Sequence, residues 1–268
     1  MDQIKKILAI DDEQVIIDAI LKACSLENYS VDFTLSIKTA IQKIKKNYYS
    51  IIICDIMMQD GDGFQVLEEI QTQNIDSAII MMTGYSTVEN AVKSLYQGAI
   101  DFIPKPFTVD ELLSSLSRAS KYQEIIKKQE KFSRKETEHK LLYVTCPVKY
   151  LRLGYSSWIF RENDGSVLIG VCDILLKTIE SIKELELLDP EDEIVQGICC
   201  FTIKTGNERI HRIHSPISGR IIEVNQNLKI NPNLIEKDPY FEGWVYRVIP
   251  KDVDYEIKHL IPCSSDRL

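Results

Sequence analysis

The sequence predicts two domains of different class: an α/β domain with a doubly wound parallel sheet, followed by a mainly β domain. Short apolar runs closed by acidic or turn residues, such as residues 51–54 before Asp55, are typical of buried parallel strands. From Tyr143 onward, many short apolar runs with spaced turns indicate a β sandwich or a flattened barrel. The length of 268 residues is also typical of two domains rather than one.

Composition places the domain boundaries at residues 1–120, 121–142 and 143–268, and the middle segment is predicted to be a helical linker. Residues 121–140 contain no Gly or Pro and many strong helix formers. Two roles remain open for this helix: it continues the preceding helix and transmits its state, or it is a solvated spacer. The many charges favour the spacer. Because each flanking domain has its own apolar strands, we expect the two domains to fold separately.

Composition also limits the partners and the location of the protein. The net charge of −8 argues against nonspecific binding to nucleic acid or to an anionic membrane. No apolar stretch is as long as a transmembrane helix, and residues 1–6 lack the apolar region of a signal peptide. We therefore expect a cytoplasmic protein without a membrane partner. Its seven cysteines are expected to be free thiols.

Polar residues end or follow the predicted parallel strands. Asp11 and Asp12 come after the first strand, Asp55 ends another, and Thr83 and Lys105 come at the ends of two later ones. Because open α/β sheets bind ligands at the carboxyl ends of their strands, we expect these side chains to meet. A few carboxylates suffice for Mg²⁺, and Asp55 can act as a nucleophile that becomes an aspartyl phosphate. The Thr83 hydroxyl and the Lys105 ammonium would then bind phosphoryl oxygens.

The order of these residues distinguishes a shared site from isolated helix caps. A single Asp after a strand often only caps the next helix, but here four matched positions fall at strand ends in sequence order. The stretches that carry them are KKILAIDDE, IIICDIMMQDGDGFQVLEEI, IIMMTGYST and GAIDFIPKPF. Over about residues 4–120, the chain resembles the response regulator receiver domain, a CheY-like domain with a flavodoxin-like fold.

The receiver resemblance implies a role for each residue of the site. Asp55 would accept phosphate from the phosphohistidine of a histidine kinase or a phosphotransfer protein. Asp12 would bind Mg²⁺ directly, Asp11 partly through water, and Met57 through its backbone carbonyl. The Lys105-Pro106 peptide bond would be cis, as is usual in the family.

The resemblance also implies a contact surface and shows one departure from the family. Phe102, three residues before Lys105, would be the aromatic switch residue, with simple packing on an edge strand as the alternative. The helix at residues 88–97, the strand at Phe102 and the last helix would contact a partner. Gln59 stands where the family commonly has Pro.

The β domain carries a second set of motifs. They lie in the stretches GYSSWIFRENDGSVLIGVCDILLKTI and HSPISGRIIEVNQNLKINPNLIEKDPYFEGWVYRVIP. The most specific are Ser215-Pro216, Gly219, Asn231-Pro232, Asp238-Pro239-Tyr240 and Gly243-Trp244. Over about residues 150–250, the chain resembles the H protein of the glycine cleavage system. This resemblance implies the hybrid-barrel fold of lipoyl- and biotinyl-type carrier domains.

The carrier position itself holds the wrong residue. In the family, the lipoyl-bearing lysine lies seven residues before the Ser of Ser-Pro, and here that position is Glu208. A carboxylate cannot form the amide that holds lipoate, and Lys204 lies outside the hairpin turn predicted at residues 205–208. We therefore expect a degenerate domain without lipoate. His211 and His214 would face opposite sides of a strand, so we interpret them as partly exposed strand residues rather than metal ligands.

Together these observations predict a two-component response regulator for phosphorelay signal transduction. Its phosphoacceptor, Asp55, would control a degenerate, non-lipoylated H-protein-like module that binds a downstream protein. The expected cofactor is Mg²⁺, and the chain would not be an enzyme beyond accepting phosphate and slowly hydrolysing it. Two alternatives are a true lipoyl carrier under receiver control and a transcriptional regulator. The second lacks support because no basic recognition helix follows the linker.

Overall fold

The computed structural model of the chain describes residues 5–27, 29–85, 87–133 and 141–264. The elements of its first domain, in chain order, are β1 (Lys5–Ile10), α1 (Gln14–Cys24), β2 (Tyr29–Thr34), α2 (Ile37–Lys46), β3 (Ile51–Asp55), β4 (Met57–Met58), β5 (Gly61–Asp62), α3 (Phe64–Thr72), β6 (Ala78–Thr83), α4 (Val88–Tyr96), β7 (Asp101–Pro104) and α5 (Val109–Ser133). Five of these strands form a parallel sheet in the order β2-β1-β3-β6-β7, and β4 pairs with β5 in a small hairpin.

Alternate residues of the central strands pack on opposite faces of the sheet, as expected when both faces are covered by helices. In β1, Ile7 and Ala9 join an apolar cluster with residues of α1 and α5. Leu8 and Ile10 join a second cluster with residues of α2, α3 and α4. All five residues of β3 are buried. The predicted doubly wound α/β fold is therefore confirmed for the first domain.

The second domain is built mainly from antiparallel strands. Its elements are β8 (Leu151–Leu153), β9 (Ser157–Arg161), β10 (Val167–Val171), α6 (Asp173–Leu176), β11 (Ile182–Leu187), β12 (Glu193–Ile194), β13 (Cys199–Thr205), β14 (Ile210–His214), β15 (Gly219–Val224), α7 (Gln226–Ile230), α8 (Leu234–Lys237), β16 (Tyr246–Pro250), α9 (Val253–Glu256), a 3-10 helix (Ile257–His259) and β17 (Ile261–Pro262). Seven strands form a sheet in the order β12-β15-β16-β10-β9-β8-β17, and β11, β13 and β14 form another. The predicted mainly β class is confirmed.

The segment predicted as a separate linker belongs to α5. This helix runs without a break past residue 120, so residues 121–133 continue the last helix of the first domain. Tyr122 packs against the apolar clusters of both domains, and Lys121 forms an ion pair with Glu180. The interpretation of these residues as a solvated spacer is therefore wrong, because the helix packs against both domains. The rest of the predicted linker helix, residues 134–140, lies outside the described residues.

One apolar cluster joins the two domains. Val92 and Leu95 of α4 and Phe102 of β7 belong to the same buried cluster as Leu153 and Ile213 of the second domain. The cluster beneath α1 and α5, in contrast, is built from first-domain residues. The sequence prediction of two separate cores therefore needs correction on one side of the sheet, where the core continues into the second domain.

A fragment of residues 1–119 should still fold and remain soluble. The five-stranded sheet lies wholly within it, and so do the buried residues of the cluster beneath α1 and α5. It should unfold at a urea concentration about 1 M lower than the full chain, because Val92, Leu95 and Phe102 lose apolar cover. Circular dichroism during urea unfolding measures this, and a fragment ending at Ser133 tests the helix extension separately. Aggregation of the shorter fragment would instead show that the domains share one obligate core.

Candidate phosphoryl-acceptor site and the domain contact

Three carboxylates meet at the carboxyl end of the parallel sheet. Asp11 and Asp12 follow β1, and Asp55 ends β3. Because β1 and β3 are neighbours in the sheet, these side chains converge. One carboxylate oxygen of each residue lies within 4.8 Å of those of the other two. Asp11 and Asp55 are buried and Asp12 is half-buried, so the structure brings together the acidic residues singled out in the sequence.

Lys105 places its ammonium among these carboxylates. Its Nζ lies 2.7 Å from Asp11 Oδ2, 3.0 Å from Asp55 Oδ2 and 3.5 Å from Glu13 Oε1. Burial raises the pKa of the Asp11 and Asp55 carboxyls, and the hydrogen bonds from Lys105 oppose that rise. Burial acts to lower the pKa of Lys105, but the hydrogen bonds and charges of Asp11 and Asp55 together raise it. The ammonium is therefore charged at neutral pH and offsets part of the carboxylate charge.

The donor set fits a divalent cation that prefers oxygen ligands. Asp55 Oδ1 is buried and has no hydrogen-bond partner among the described residues. Buried carboxylate oxygens normally have such a partner, so a free one beside two further carboxylates is well suited to a metal. Mg²⁺ keeps several of its own waters and needs few protein ligands. The three carboxylates therefore provide what this cation requires.

Thr83 and the cis proline lie beside the carboxylates. Thr83 is fully buried at the end of β6, and its Oγ1 accepts the Tyr85 N–H at 3.1 Å. The Lys105 N–H donates to the Thr83 carbonyl at 2.8 Å, which ties two strand ends together. The Lys105-Pro106 peptide is cis, as the resemblance implied. Metal binding by the Met57 carbonyl remains a prediction.

The predicted carrier position, Glu208, lies in the turn between β13 and β14. The Glu208 N–H donates to the Thr205 carbonyl at 2.9 Å, and Lys204 lies within β13. The Glu208 carboxylate is 2.6 Å from Lys204 Nζ and forms a second ion pair with Lys183. The hydrogen bonds from Lys183 and Lys204 lower the pKa of Glu208 to about 2. The residue at the carrier position is therefore a charged, ion-paired turn residue.

His211 and His214 are buried, so the predicted partial exposure is wrong. Both lie in β14, which packs against α5 of the first domain. The His214 ring meets the Phe102 ring edge-on, with centroids 6.5 Å apart. Burial lowers the pKa of His211 to about 3 and that of His214 to about 4. The cause of burial is a contact between domains, which leaves no local pattern in the sequence.

The second domain covers the face formed by α4, β7 and α5, and we name this interface the domain contact. Among the described residues, its ion pairs are Arg212–Glu111 and Glu180–Lys121, and a further pair, Arg209–Glu27, joins the second domain to the segment between α1 and β2. Gly154 and Gly197 both have positive φ and lie very close to α4. A Cβ added at Gly154 would lie 2.7 Å from the Leu95 carbonyl oxygen, and one at Gly197 would lie 2.7 Å from Val92 Cγ2. The face implied as a contact surface is thus covered by the chain's own second domain.

A buried polar cluster within the domain contact was missed by sequence reasoning. Asp101 forms a buried ion pair with Arg118 and accepts the Ser115 hydroxyl. Arg118 Nε, Ser114 Oγ and His211 Nδ1 are buried without hydrogen-bond partners among the described residues. Each unsatisfied group costs about 1–3 kcal/mol, so the contact is less stable than its apolar area alone would make it. The one available signal was Asp101, a charged residue within a short, otherwise apolar strand.

Sequence comparison assigns each domain to a family. The family described as response regulator receiver domain matches residues 7–117, and that described as glycine cleavage H-protein matches residues 149–264. Transcriptional regulatory protein ZraR of Escherichia coli O157:H7 is 32% identical over 123 residues, 45% of this chain and 27% of that protein. This chain therefore spans about a quarter of the length of that relative. The probable glycine cleavage system H protein of Thermococcus gammatolerans is 32% identical over 108 residues, 40% of this chain and 79% of that protein.

Solved structures include similar chains for both halves. A response regulator receiver domain protein (CheY-like) from Methanospirillum hungatei JF-1 has 30% identity and a TM-score of 0.44, covering 46% of this chain and 98% of that one. A glycine cleavage system H protein from Mycobacterium marinum has 24% identity and a TM-score of 0.37, covering 39% of this chain and 86% of that one. Among the described residues, no helix combines the length and apolarity needed to cross a membrane. The chain belongs to the response regulator receiver family through its first domain and to the glycine cleavage H-protein family through its second.

Proposed function

We propose that the chain is a two-component response regulator in which phosphorylation of Asp55 weakens the domain contact. One observation carries this proposal: strand β7 reaches both the carboxylate site and the contact. Lys105, whose ammonium lies among the carboxylates, directly follows β7. Phe102, within β7, meets His214 of the H-protein-like domain. A change at Asp55 that moves Lys105 therefore acts on the contact through one short strand.

The residues of the site support phosphoryl transfer to Asp55. A Mg²⁺ ion held by the three carboxylates and the Met57 carbonyl would neutralise charge on the transferred group. An Asp55 oxygen attacks the phosphorus of a phosphohistidine on a histidine kinase or phosphotransfer protein. The P–N bond breaks, and the leaving imidazole takes up a proton. Lys105, released from Asp55, then pairs with the phosphoryl oxygens, and the Thr83 hydroxyl donates to one of them.

Phosphorylation changes the charge balance that holds Lys105 in place. The new group adds about −1.5 to −2 charge and three strong acceptor oxygens, which compete with Asp11 for the ammonium. The Lys105 N–H is bonded to the Thr83 carbonyl, and β6 is paired with β7. Displacement of either residue therefore shifts β7 as a unit. Phe102 then moves away from His214, and the buried polar groups of the contact gain access to water.

The H-protein-like domain then acts as a protein-interaction module that phosphorylation uncovers. Two arginines near the turn that contains Glu208 pair with carboxylates of the receiver domain. Arg209 pairs with Glu27, and Arg212 pairs with Glu111. Release of these ion pairs frees a basic, partly apolar edge for a downstream protein. The chemistry of the chain itself is limited to accepting phosphate and losing it slowly by hydrolysis, so we do not assign it a separate enzymatic activity.

Acetyl phosphate with Mg²⁺ should add a single acid-labile phosphoryl group, at Asp55. Asp55→Asn keeps the shape of the side chain but removes the nucleophile, so uptake should fall to background. Intact-protein mass spectrometry measures this, with Asp18→Asn, on the exposed side of α1, as the matched control.

Beryllofluoride with Mg²⁺ should also raise the rate of amide hydrogen exchange in β14 several-fold, as expected for local opening. Wild-type uptake by Asp55→Asn would disprove the site, whereas normal uptake without faster β14 exchange would disprove only the coupling.

The buried histidines predict that mild acid weakens the domain contact. The charged residues around His211 and His214 are Asp101, Arg118, Arg209, Arg212 and Lys121. In the closed contact both imidazoles are neutral, but after opening each takes up a proton near its ordinary pKa of about 6.5. The histidine contribution to contact stability is therefore complete above about pH 6.5. It is lost as the pH falls towards the closed-state values of about 4 and about 3.

At about pH 5.5, each histidine should favour the open form by about tenfold relative to neutral pH. Small-angle scattering from the full chain at several pH values should show this as an increased radius of gyration. His211→Asn with His214→Asn should flatten the pH dependence. The control is His259→Asn, because the His259 ring lies outside β14 and contacts Tyr255. An unchanged pH dependence in the double variant would assign the effect to other groups.

The H-protein-like domain should take up no lipoate. Glu208 holds the carrier position, and Lys204 is engaged with it in an ion pair within β13. Intact mass after co-expression with a lipoate ligase and free lipoate measures modification, and an authentic H protein in the same cells is the positive control. We expect a mass increase for the control alone. A lipoyl-sized increase on Lys204 would instead support a carrier domain under receiver control.

A further inference from the structure

We propose that the backbone N–H of Gln59 positions Asp12 for the metal, an inference that rests on the proposed function of the carboxylate site. The Gln59 nitrogen lies 3.0 Å from Asp12 Oδ2, a contact between residues 47 positions apart in the chain. The Gln59 side chain is exposed. The contribution of this residue to the site is therefore its main-chain donor, not its side chain.

The donor is held in place by the small hairpin that follows Asp55. Gln59 lies in the turn of that hairpin, in which Met58 pairs with Gly61. The next residue, Asp60, accepts the Ser36 hydroxyl at 2.7 Å and the Ile37 N–H at 3.1 Å. These bonds anchor the turn to the start of α2. The Gln59 N–H is thus presented to the site by a turn that is fixed from outside it.

Two carboxylates of the cluster receive a main-chain N–H. Asp11 Oδ1 accepts the N–H of Glu13, two residues along the chain, at 3.0 Å. Asp12 differs because its donor comes from a separate turn. A bond from an amide to a charged carboxylate is shorter and stronger than a neutral one. It therefore holds Asp12 Oδ2 and leaves Oδ1 to turn towards the cation.

The consequence is a carboxylate that is oriented before the cation arrives. A side chain already held in its binding rotamer loses less conformational freedom when the ligand binds. Only proline lacks the backbone donor on which this depends. A single substitution can therefore remove the hydrogen bond while a second, matched substitution removes the side chain and keeps the donor.

Isothermal titration of Mg²⁺ into the full chain tests the proposal. Gln59→Pro should weaken Mg²⁺ binding about fivefold, and Gln59→Ala, which keeps the N–H, should remain within about twofold of wild type. Asp12→Ala removes the ligand itself and should weaken Mg²⁺ binding more than Gln59→Pro does. Equal affinity of Gln59→Pro and wild type would overturn the proposal and leave the metal site intact. A wild-type chain that binds no Mg²⁺ would instead overturn the proposed function and this inference together.

Nuclear magnetic resonance gives a second test that does not depend on the folding of the proline variant. The residue 59 amide proton of the wild type should lie downfield, as expected for a bond to a charged acceptor. Asp12→Ala should move it upfield, and addition of Mg²⁺ to the wild type should leave it downfield. An amide proton that does not respond to Asp12→Ala would rule out the positioning bond.

Discussion

The ammonium of Lys105 is the interaction on which the receiver site depends. Asp11 and Asp55 are buried together, and two such carboxylates repel each other and tend to take up protons unless a positive charge lies nearby. Lys105 lies within 3.0 Å of both and so ties the end of β3 and the residue after β1 to the loop after β7. In the proposed function, a phosphoryl group that enters the site changes the partners of this ammonium. Recognition of that group would then be coupled to movement of the β7 end.

In the proposed function, the position of β7 would let a small electrostatic change reach the second domain. This strand is only four residues long and lies at the edge of the sheet. One end leads to Lys105, and Phe102 within it contacts His214. The contact beyond Phe102 combines apolar packing with unsatisfied polar atoms on Ser114 and Arg118. Apolar packing stabilises such an interface, and the desolvation of polar groups destabilises it. In the proposed function, a small displacement of one strand would favour the open form.

The sequence predicted the site better than the arrangement of the domains, for a physical reason. Parallel strands bring their carboxyl ends to one edge, so strand-end residues such as Asp55 and Lys105 can be placed together from local patterns alone. Docking of β14 on α5 depends on surfaces that lie far apart in the chain and has no periodic signature. The histidines of β14 were therefore expected to be partly exposed, and Asp101 was overlooked. The α5 extension was ambiguous because its charges are those of a solvated helix, while Tyr122 is partly buried and packs against both domains.

The glutamate at the predicted carrier position and the docking of the turn are consistent with one another. A carrier arm must be free to leave its own domain and enter the sites of other proteins. Here the turn has Glu208 held between Lys183 and Lys204, and the next residue, Arg209, is paired with Glu27 of the receiver domain. A turn that is bound to the receiver domain would restrict the movement of such an arm. The same turn can instead hold the two domains together. The turn that contains the predicted carrier position is thus held by ion pairs within its own domain and to the receiver domain.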